Sequence, residues 1–584
     1  MRKILIIFIF LTGYLVSAQN KITEARSEIA LYNYSKAVIL LQGETDRGSE
    51  KSQRTARLLL AGCYRMLNDA ANARQWYEKA LLPVDFPKGF QVAPADWFHY
   101  AQALRSCGEY GLSKKIFLHY DSLNPGDPAG KLFAGFCDSA LLWQSAKPAC
   151  RVAHVKQLNS PQSEFGAVFY HNGIIFASDR TREEGKGKTY GWTGNSYLKL
   201  FVSAPVVKDS LCGPYTPPVA APGLPVQEWH DGPVCFNHDF TVMFINRTLA
   251  SHDKGKKEDG PIRTHLLKIF ISTFTGGNWS TPQPFFLNSD SCSVGHPALS
   301  PDGNTLYFVS DMKGGFGETD LYSCTREGNG WGKPVNLGPA VNTAGKEMFP
   351  YAAENGDLYF SSDGLPGFGG LDLFVTRKVD GKWLTPKNLR SPVNSPADDF
   401  SLVTGGDGNT GLFSSNRPGG AGGDDIYSFA SIPVETPKPP VPPAITAVPK
   451  PPAPPAISID TLQVNKPYRI ENIFYDFDKW NIREDARKPL NQLVALMKRY
   501  PITIELGSHT DCRGSEEYNR VLSQKRAESA VQYIISQGID PSRIRAKGYG
   551  KSQLANRCNC TTGVECSEAG HQYNRRTEFR ILSK

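Results

Sequence analysis

Hydrophobic residues between position 20 and about position 148 recur at helical spacing. Small and aromatic residues follow the same spacing and return roughly forty residues later. The first set is Leu60, Ala61, Tyr64, Ala73, Tyr77 and Ala80, and the second is Tyr100, Ala101, Leu104 and Phe117. An earlier half-set is formed by Tyr34, Ala37 and Leu41. The pattern predicts stacked helical hairpins in a domain covering residues 20–148.

The offsets within each set match those of a tetratricopeptide unit. In such units small residues let the two helices of a hairpin approach each other and stack on the next pair. Roughly two to three units form a short solenoid with a concave surface where another protein docks. An all-helical cap without a partner is the alternative. We therefore expect a tetratricopeptide-like domain that binds a protein.

From Val152 to about Ser431 the pattern changes to short strands separated by Gly, Asp and Asn turns. One phenylalanine-containing unit recurs five times. The copies are Phe176-Ala177-Ser178-Asp179, Phe244-Ile245-Asn246-Arg247, Phe308-Val309-Ser310-Asp311, Phe360-Ser361-Ser362-Asp363 and Phe413-Ser414-Ser415-Asn416. Their phenylalanines lie 68, 64, 52 and 53 residues apart, spacings typical of propeller blades. Residues 152–431 are predicted to form an all-β propeller of five blades, with six as the alternative.

The last copy lacks the further strand that follows the middle copies, whereas residues 155–159 precede the first copy without a partner. Pairing these two ends closes the ring and removes free sheet edges, which repeated antiparallel sheets must protect. We expect Val155–Asn159 to complete the last blade. The turn Ser300-Pro301-Asp302-Gly303-Asn304 resembles that of TolB-type propeller repeats.

Eleven prolines lie within the 23 residues from Pro433 to Pro455. Proline-rich chains adopt an extended, semi-rigid conformation of about 3.1 Å per residue, so this stretch reaches roughly 70 Å. Residues 432–457 are therefore predicted to be a linker between the propeller and the last domain.

Residues 465–584 alternate strand and helix patterns. One strand is predicted by the alternation of Ile502, Ile504 and Leu506. It leads through a turn at 507–514 into a helix at about 515–537. Asp511 lies in that turn, and Arg526 lies on a partly apolar face of the helix. A carboxylate and a guanidinium together suit a zwitterionic ligand, with an ordinary structural ion pair as the alternative.

The composition is that of an exported, multidomain chain. Its 584 residues imply several domains, and 40% hydrophobic residues suffice for their cores. The net charge of +8 is mild and scattered, so nucleic acid is not an expected partner. Arg2 and Lys3, an apolar run to Leu15 and small residues at 16–18 predict a signal peptide at residues 1–18. Because no cysteine follows and no later segment approaches spanning length, neither a lipoprotein nor a transmembrane segment is expected.

Catalysis is not expected either. The chain contains no Gly-x-Ser-x-Gly elbow of the kind found in propeller hydrolases. Loops rich in Asp and Gly, such as 317–320 and 422–425, are explained by turn formation without calcium. We expect no catalytic residue, metal or cofactor.

Six sequence blocks in the last domain carry a family resemblance. They are Phe474-Tyr475-Asp476-Phe477-Asp478-Lys479, the turn at 507–514, Glu517-Tyr518-Asn519, Leu522-Ser523-Gln524-Lys525-Arg526-Ala527, Lys547-Gly548-Tyr549-Gly550 and Asn574-Arg575-Arg576-Thr577-Glu578-Phe579. In this order they resemble the peptidoglycan-binding domain shared by OmpA C-termini, Pal lipoproteins and flagellar stator proteins. The resemblance implies an α/β sandwich of the OmpA C-terminal type, whose ligand is the diaminopimelate side chain of the stem peptide. It assigns ligand binding to Asp511, Arg526, Phe477, Asp478 and Thr510.

Twelve cysteines in an exported chain favour disulfides. Cys558, Cys560, Cys566 and His571 precede the final strand at spacings that could also bind zinc. For an oxidising compartment we predict the bonds Cys560–Cys566 and Cys512–Cys558, the second beside the ligand turn. Substitution of Cys512 by serine is then expected to loosen ligand binding.

Together these features predict a non-enzymatic periplasmic scaffold, associated with the outer membrane, whose partners are peptidoglycan and outer-membrane or periplasmic proteins. The order of domains resembles PorE-type proteins of the type IX secretion system. Those proteins carry a small β-domain where this chain has only the proline-rich linker. The resemblance implies a role in anchoring a secretion complex to the cell wall. A general envelope-stability protein of the TolB/Pal kind is the alternative, and an envelope hydrolase is disfavoured.

Overall fold

The computed structural model falls into two compact units, Met1–Thr436 and Pro437–Lys584. It describes residues 21–180, 189–207, 213–249, 266–328, 330–406, 408–432, 463–470, 484–513, 515–558, 560, 571 and 573–584. The predicted signal peptide, almost all of the predicted linker, Phe477, Asp478 and Cys566 lie outside the described residues.

The N-terminal part of the first unit is helical, as the sequence predicts. Its helices are 21–30 (α1), Tyr34–Gln42 (α2), Glu50–Met66 (α3), Ala70–Leu81 (α4), Pro94–Ser106 (α5), Tyr110–Leu123 (α6) and Ala129–Gln144 (α7). From α2 onward each helix contacts the next one along the chain. Ala61 and Ala73 are buried in the core that α3, α4 and α5 share, and their small side chains permit a close approach of the helices.

Polar side chains fix where the α3–α4 hairpin begins and turns. Ser49 Oγ accepts a hydrogen bond from the Ser52 N–H at 3.2 Å, and Asp69 Oδ1 accepts one from the Asn72 N–H at 3.0 Å. Each cap satisfies a backbone donor that the first helical turn leaves open, and contributes about 1 kcal/mol to stability.

The rest of the first unit is β structure. Its strands are Cys150–His154 (β1), Glu164–Tyr170 (β2), Gly173–Ser178 (β3), Lys199–Ser203 (β4), Val219–Ala220 (β5), Asp231–Phe236 (β6), Val242–Leu249 (β7), Leu266–Thr275 (β8), Asn278–Trp279 (β9), Gln283–Pro284 (β10), Val294–Leu299 (β11), Thr305–Ser310 (β12), Asp320–Glu327 (β13), Gly330–Trp331 (β14), Val335–Asn336 (β15), Glu347–Ala352 (β16), Asp357–Ser362 (β17), Asp372–Val379 (β18), Lys382–Trp383 (β19), Lys387–Asn388 (β20), Asp399–Thr404 (β21), Thr410–Ser415 (β22) and Asp425–Ser431 (β23). They form five antiparallel sheets, built on β2-β3-β4-β5, β6-β7-β8-β10, β11-β12-β13-β15, β16-β17-β18-β20 and β21-β22-β23-β1. The short strands β9, β14 and β19 pair with β8, β13 and β18.

The first strands of the five sheets contact one another in a closed cycle, from β2 through β6, β11, β16 and β21 back to β2. The last sheet is completed from the other end of the sequence, because β1 pairs with β23 from Cys150 opposite Ser431 to His154 opposite Tyr427. The prediction that Val155–Asn159 forms this closing strand is therefore wrong in register, although the pairing of the two ends is correct.

Residues 155–159 have a different role, which four sheets repeat. Asn342 Oδ1 accepts from the Leu321 N–H at 2.8 Å, and Asn342 Nδ2 donates to the Leu321 carbonyl at 3.0 Å. The same double contact joins Asn288 to Ile269, Asn394 to Leu373 and Asn159 to Ile426. Each asparagine thus satisfies the backbone of a third strand just beyond the end of the fourth strand that pairs with it.

The recurring phenylalanine unit is a packing and hydrogen-bonding element. In its fourth copy Phe360 is fully buried, and Ser362 Oγ donates to Glu347 Oε1 at 2.7 Å. Asp363 Oδ1 accepts from the Lys346 N–H at 2.7 Å. The polar residues of the unit therefore hold the start of the first strand of their own sheet.

Helices and sheets of the first unit are in direct contact. Trp192 Nε1 donates to the Met66 carbonyl of α3 at 2.8 Å. The guanidinium of Arg390 lies 3.3 Å from the centre of the Trp143 ring, whose other neighbour is Phe368 at 5.7 Å. These aromatic contacts join α7 to the loops of the fourth sheet.

The second unit is an α/β layer. Its elements are Pro467–Ile470 (β24), Glu484–Arg499 (α8), Thr503–His509 (β25), Glu516–Ser536 (α9), Ile544–Gly550 (β26) and Thr577–Ser583 (β27). The strand order is β24-β27-β25-β26, antiparallel except for the parallel pair β25–β26 that α9 connects. Leu493, Ile504, Ile534 and Phe579 share one buried core. No helix in the described part of the chain combines the length and the apolar character needed to cross a membrane.

Candidate ligand-binding site

The turn that contains Asp511 begins where β25 ends. Its strand alternates as predicted, with Ile504 and Leu506 buried in the core. The His509 N–H donates to the Arg576 carbonyl at 2.9 Å, and the Thr510 N–H donates to the Gly550 carbonyl at 3.0 Å. The turn is therefore held from two sides before it reaches Asp511.

Asp511 is buried, with 6% of its surface exposed. Its Oδ1 accepts from the Arg513 N–H at 3.1 Å, and its Oδ2 lies 2.7 Å from Arg513 Nη2 and 2.5 Å from Arg575 Nη1. Burial acts to raise the pKa of Asp511, but the hydrogen bonds from the two arginines outweigh it and lower that pKa below the ordinary value. The carboxylate is therefore ionised at neutral pH.

Arg526 lies on α9 with 5% of its surface exposed, among the buried residues Ser523, Ala527 and Ala530. This agrees with the predicted apolar helix face. The partners of Asp511 found in the structure, Arg513 and Arg575, were not singled out from the sequence. A sequence signal for Arg575 was present, because it belongs to the quoted Asn574-Arg575-Arg576 block.

Thr510 is buried beside Asp511, and its hydroxyl has no hydrogen-bond partner among the described residues. A buried polar group of this kind is uncommon. Phe477 and Asp478, the other two predicted ligand contacts, lie outside the described residues.

Two glycines dock the helix that carries Arg526 against β26. A Cβ atom on Gly548 would lie 2.3 Å from the backbone nitrogen of Gln524. The Gly548 N–H donates to Gln524 Oε1 at 2.7 Å, and the Gly550 N–H donates to Ser523 Oγ at 2.8 Å. The Lys547-Gly548-Tyr549-Gly550 block is therefore required for close packing of helix and strand.

The disulfide prediction for this site is wrong. Cys512 is bonded to Cys560, with 5.6 Å between their Cα atoms, so neither Cys512–Cys558 nor Cys560–Cys566 forms. Cys558 is also disulfide-bonded. Asn574 Nδ2 holds the Cys558 carbonyl at 3.3 Å, and the backbone turns at Cys560 with a φ of 58°. That turn brings Cys560, rather than Cys558, to the ligand loop.

His509 was also missed from the sequence. It is buried and stacks on Tyr549, with 4.9 Å between the ring centres, and its Nε2 lies 3.5 Å from Glu578 Oε2. The nearby His509 ring and the hydrogen bond from Arg576 lower the pKa of Glu578 to about 2, against the opposing effect of burial. His509, Tyr549 and Glu578 thus join the last residue of β25 to the neighbouring strands β26 and β27.

Comparison with known proteins shows that part of the second unit matches a protein family. Residues 474–566 match the model of the OmpA family. Outer membrane porin F of Pseudomonas fluorescens is 36% identical over 115 residues, which are 19% of this chain and 33% of that protein. The peptidoglycan-associated lipoprotein of Brucella melitensis is 37% identical over 95 residues, 16% of this chain and 55% of that protein. The chain thus spans between a third and about half of these relatives.

Among solved structures, the peptidoglycan-associated lipoprotein from Burkholderia pseudomallei is 27% identical to the matched part. The match covers 19% of this chain and 87% of that chain, with a TM-score of 0.17. The sequence matches define an OmpA-like domain in the C-terminal unit, with OmpA and Pal proteins as its relatives. The family match leaves the helices and the five sheets of the first unit outside its 474–566 range.

Proposed function

We propose that the C-terminal unit binds peptidoglycan non-covalently, through the diaminopimelate side chain of the stem peptide. The observation that carries the proposal is the buried, ionised carboxylate of Asp511 within an OmpA-like domain that has peptidoglycan-associated relatives. Diaminopimelate offers an ammonium group to Asp511 and a carboxylate to the guanidinium of Arg526. The hydroxyl of Thr510 is a further donor or acceptor for the same ligand.

Asp511 retains room for an ammonium group despite its two arginines. Both guanidinium groups contact Oδ2, while Oδ1 receives the backbone N–H of Arg513. A carboxylate oxygen has two lone pairs, so Oδ1 can accept a second donor. The Arg513 side chain is 46% exposed, and it can turn from Asp511 to a ligand carboxylate without leaving a buried cavity.

For the first unit we propose a five-bladed propeller joined to a tetratricopeptide-like solenoid, which together form a docking platform for proteins. The closed cycle of first strands and the pairing of β1 with β23 support the propeller. The successive packing of α2 to α7 supports the solenoid. The helices carry a cavity of about 570 Å³ whose lining includes Tyr34, Arg65 and His99. A concave surface of this kind suits a peptide segment of a partner.

The whole chain is then a non-enzymatic periplasmic scaffold. Its C-terminal unit holds the cell wall, and its first unit holds outer-membrane or periplasmic proteins, in our proposal a type IX secretion complex. Affinity purification of the full chain from lysozyme-treated envelopes tests the second part. Recovery of secretion components supports this role, whereas recovery of general envelope proteins alone supports the TolB/Pal-like alternative.

Sedimentation of the full chain with purified sacculi tests wall binding. Asp511→Asn and Arg526→Gln each remove one charge-assisted contact, worth about 1.5–3 kcal/mol, so retention is expected to fall at least about tenfold. Glu528→Gln is the matched control, because Glu528 lies exposed on the same helix and bonds only to Gln524 among the described residues.

Free diaminopimelate should compete with sacculi for the wild-type protein and for the Glu528→Gln control. Melting temperatures of the variants separate a lost contact from a lost fold, since Arg526 is buried. If both site variants fold and sediment as well as wild type does, the assignment of the site is wrong.

A further inference from the structure

Two cysteine-bearing segments and an imidazole converge beside Asp511. The sulfur atoms of Cys512 and Cys560 and a ring nitrogen of His571 all lie within 4.8 Å of one another. Cys512 Sγ is 3.9 Å from His571 Nδ1. Cys512 and His571 are buried, whereas Cys560 is exposed. In the oxidised chain the two sulfur atoms are bonded to each other, so they are not available as thiolate ligands.

The three groups come from separate parts of the second unit, and contacts other than the disulfide hold two of these parts in place. Cys512 follows the turn fixed on β26, and His571 lies one helical turn before Arg575, whose N–H donates to the His571 carbonyl at 3.2 Å. Arg575 is itself bonded to Asp511. Reduction of the disulfide therefore leaves two of the three groups positioned by contacts that do not involve the S–S bond.

We propose that, once the Cys512–Cys560 bond is reduced, these two cysteines and His571 bind a thiophilic divalent cation such as Zn²⁺. The set of two sulfur atoms and one imidazole is one that zinc prefers. In tetrahedral coordination, zinc–sulfur bonds of about 2.3 Å place the two sulfur atoms roughly 3.7 Å apart. The site needs only to open from a bonded pair to that distance. The exposure of Cys560 leaves the fourth position to water.

The reduction requires a dithiol as the electron donor. One of its thiolates attacks a sulfur atom of the Cys512–Cys560 bond, and its second thiol then closes the donor's own disulfide. Two electrons and two protons pass to the cysteines. Metal binding displaces those two protons, so the affinity rises with pH as the thiols lose them.

The cation would replace the disulfide as the connection between residue 560 and the ligand turn. The turn beside Asp511 would therefore be tied to the segment around Cys560 in both redox states, provided that the metal is present. This site goes beyond the proposed wall binding, and its test does not depend on that function.

Cobalt(II) is the probe, because thiolate coordination gives it a charge-transfer absorption that carboxylates do not give. The full chain is reduced with a phosphine, which takes its oxygen from water, then desalted without air and titrated with Co²⁺. We expect one strongly bound Co²⁺ that Zn²⁺ displaces, and none at this site before reduction. The Cys512→Ser/Cys560→Ser variant should lose the thiolate absorption of that ion, and His571→Ala should weaken its binding at least about tenfold.

Cys292→Ser and His171→Ala are the controls, since they remove a thiol and an imidazole in the first unit. Both should bind Co²⁺ as wild type does. Circular dichroism verifies the fold of each variant, and His571→Ala tests the site with both cysteines intact. The proposal is overturned if reduced wild type binds no stoichiometric Co²⁺, or if its thiolate absorption persists in the double cysteine variant. Unchanged affinity in folded His571→Ala also overturns it.

Discussion

Glu347, at the start of β16, and Asp511, after β25, are both buried carboxylates, and they differ in what surrounds them. Glu347 accepts hydrogen bonds from Thr343 and Ser362 and has no ion-pair partner among the described residues. Burial raises its pKa to about 7. Asp511 has two guanidinium neighbours, which outweigh burial and lower its pKa.

The corresponding acids of the other sheets differ in whether an arginine lies beside them. Glu164 occupies the same place in the first sheet as Glu347 in the fourth, and Arg180 lies 2.8 Å from it. Arg417 pairs with Asp399 in the fifth sheet in the same way. In the fourth sheet the corresponding position is Gly364. Acids of the sheets therefore serve as internal hydrogen-bond acceptors, with or without a cation, whereas Asp511 is kept ionised by two arginines.

Removing Arg417, the cation beside Asp399, should have the largest effect on stability. Arg417→Met leaves Asp399 buried without its cation, and the free energy of unfolding of the first unit is expected to fall by about 3–5 kcal/mol. Calorimetry of the full chain measures this loss as a lower first-unit melting temperature. Arg377→Met is the control, because Arg377 is half exposed and its pair with Asp357 is worth at most about 1 kcal/mol. Equal losses in the two variants would contradict the distinction.

The unpaired acid predicts a pH dependence. Glu347 keeps its proton in the folded chain up to about pH 7, whereas the unfolded chain loses it near the ordinary value of 4.5. The stabilisation is therefore complete below about pH 4.5 and is lost as the pH rises to about 7, by roughly 3 kcal/mol. Asp372, whose pKa burial raises to about 8, acts in the same direction. Calorimetry between pH 5 and 8 should show the first unit becoming less stable.

Glu347→Gln isolates the contribution of this one acid. A glutamine can accept from the Thr343 N–H with its oxygen and donate to the hydroxyl groups of Thr343 and Ser362 with its amide. Relative to wild type, the variant should gain about 3 kcal/mol between pH 4.5 and 8. Parallel pH curves for variant and wild type would show that Glu347 is not the group that titrates.

A smaller loss of stability is expected at the uncharged Asn342. Asn342→Ala removes both contacts to the Leu321 backbone and leaves a buried N–H and a buried carbonyl unpaired, at a cost of about 2 kcal/mol. Asn278→Ala, on an exposed strand, should change stability by less than about 0.5 kcal/mol. Urea unfolding followed by circular dichroism measures both. A loss below about 0.5 kcal/mol for Asn342→Ala would mean that water takes over the two hydrogen bonds of Asn342 to the Leu321 backbone.

The smallest effect is expected in the second unit, where stability changes with pH in the opposite direction to that of Glu347. The depressed pKa of Glu578, about 2, means that its stabilisation is present above the ordinary value of 4.5 and is lost as the pH falls through about 2. Solvent screening limits the loss to about 1 kcal/mol. Glu578→Gln should flatten the acid limb of the second-unit transition. An acid limb that is unchanged in this variant would assign the effect to another group.

The sequence predicted much of the local structure, because burial on one face imposes a period that can be read directly. The alternation around Ile504 and Leu506, the helix of Arg526 and the repeated phenylalanines are all of this kind, and each lies where expected. The closing strand was misplaced by five residues, since β1 and Val155–Asn159 both fit a strand pattern. Only the hydrogen bonds of Asn159 show that the second segment instead binds the backbone of Ile426.

Of the candidate site, the sequence by itself predicted Asp511 and Arg526, because the residue types and the spacing of a motif are visible along the chain without its structure. The tertiary structure alone decided that Arg513 and Arg575 hold Asp511 and that Cys512 bonds to Cys560. Such pairings join residues up to 64 positions apart. Their choice depends on distances that arise only after strands and turns have packed, and spacing along the chain does not encode those distances.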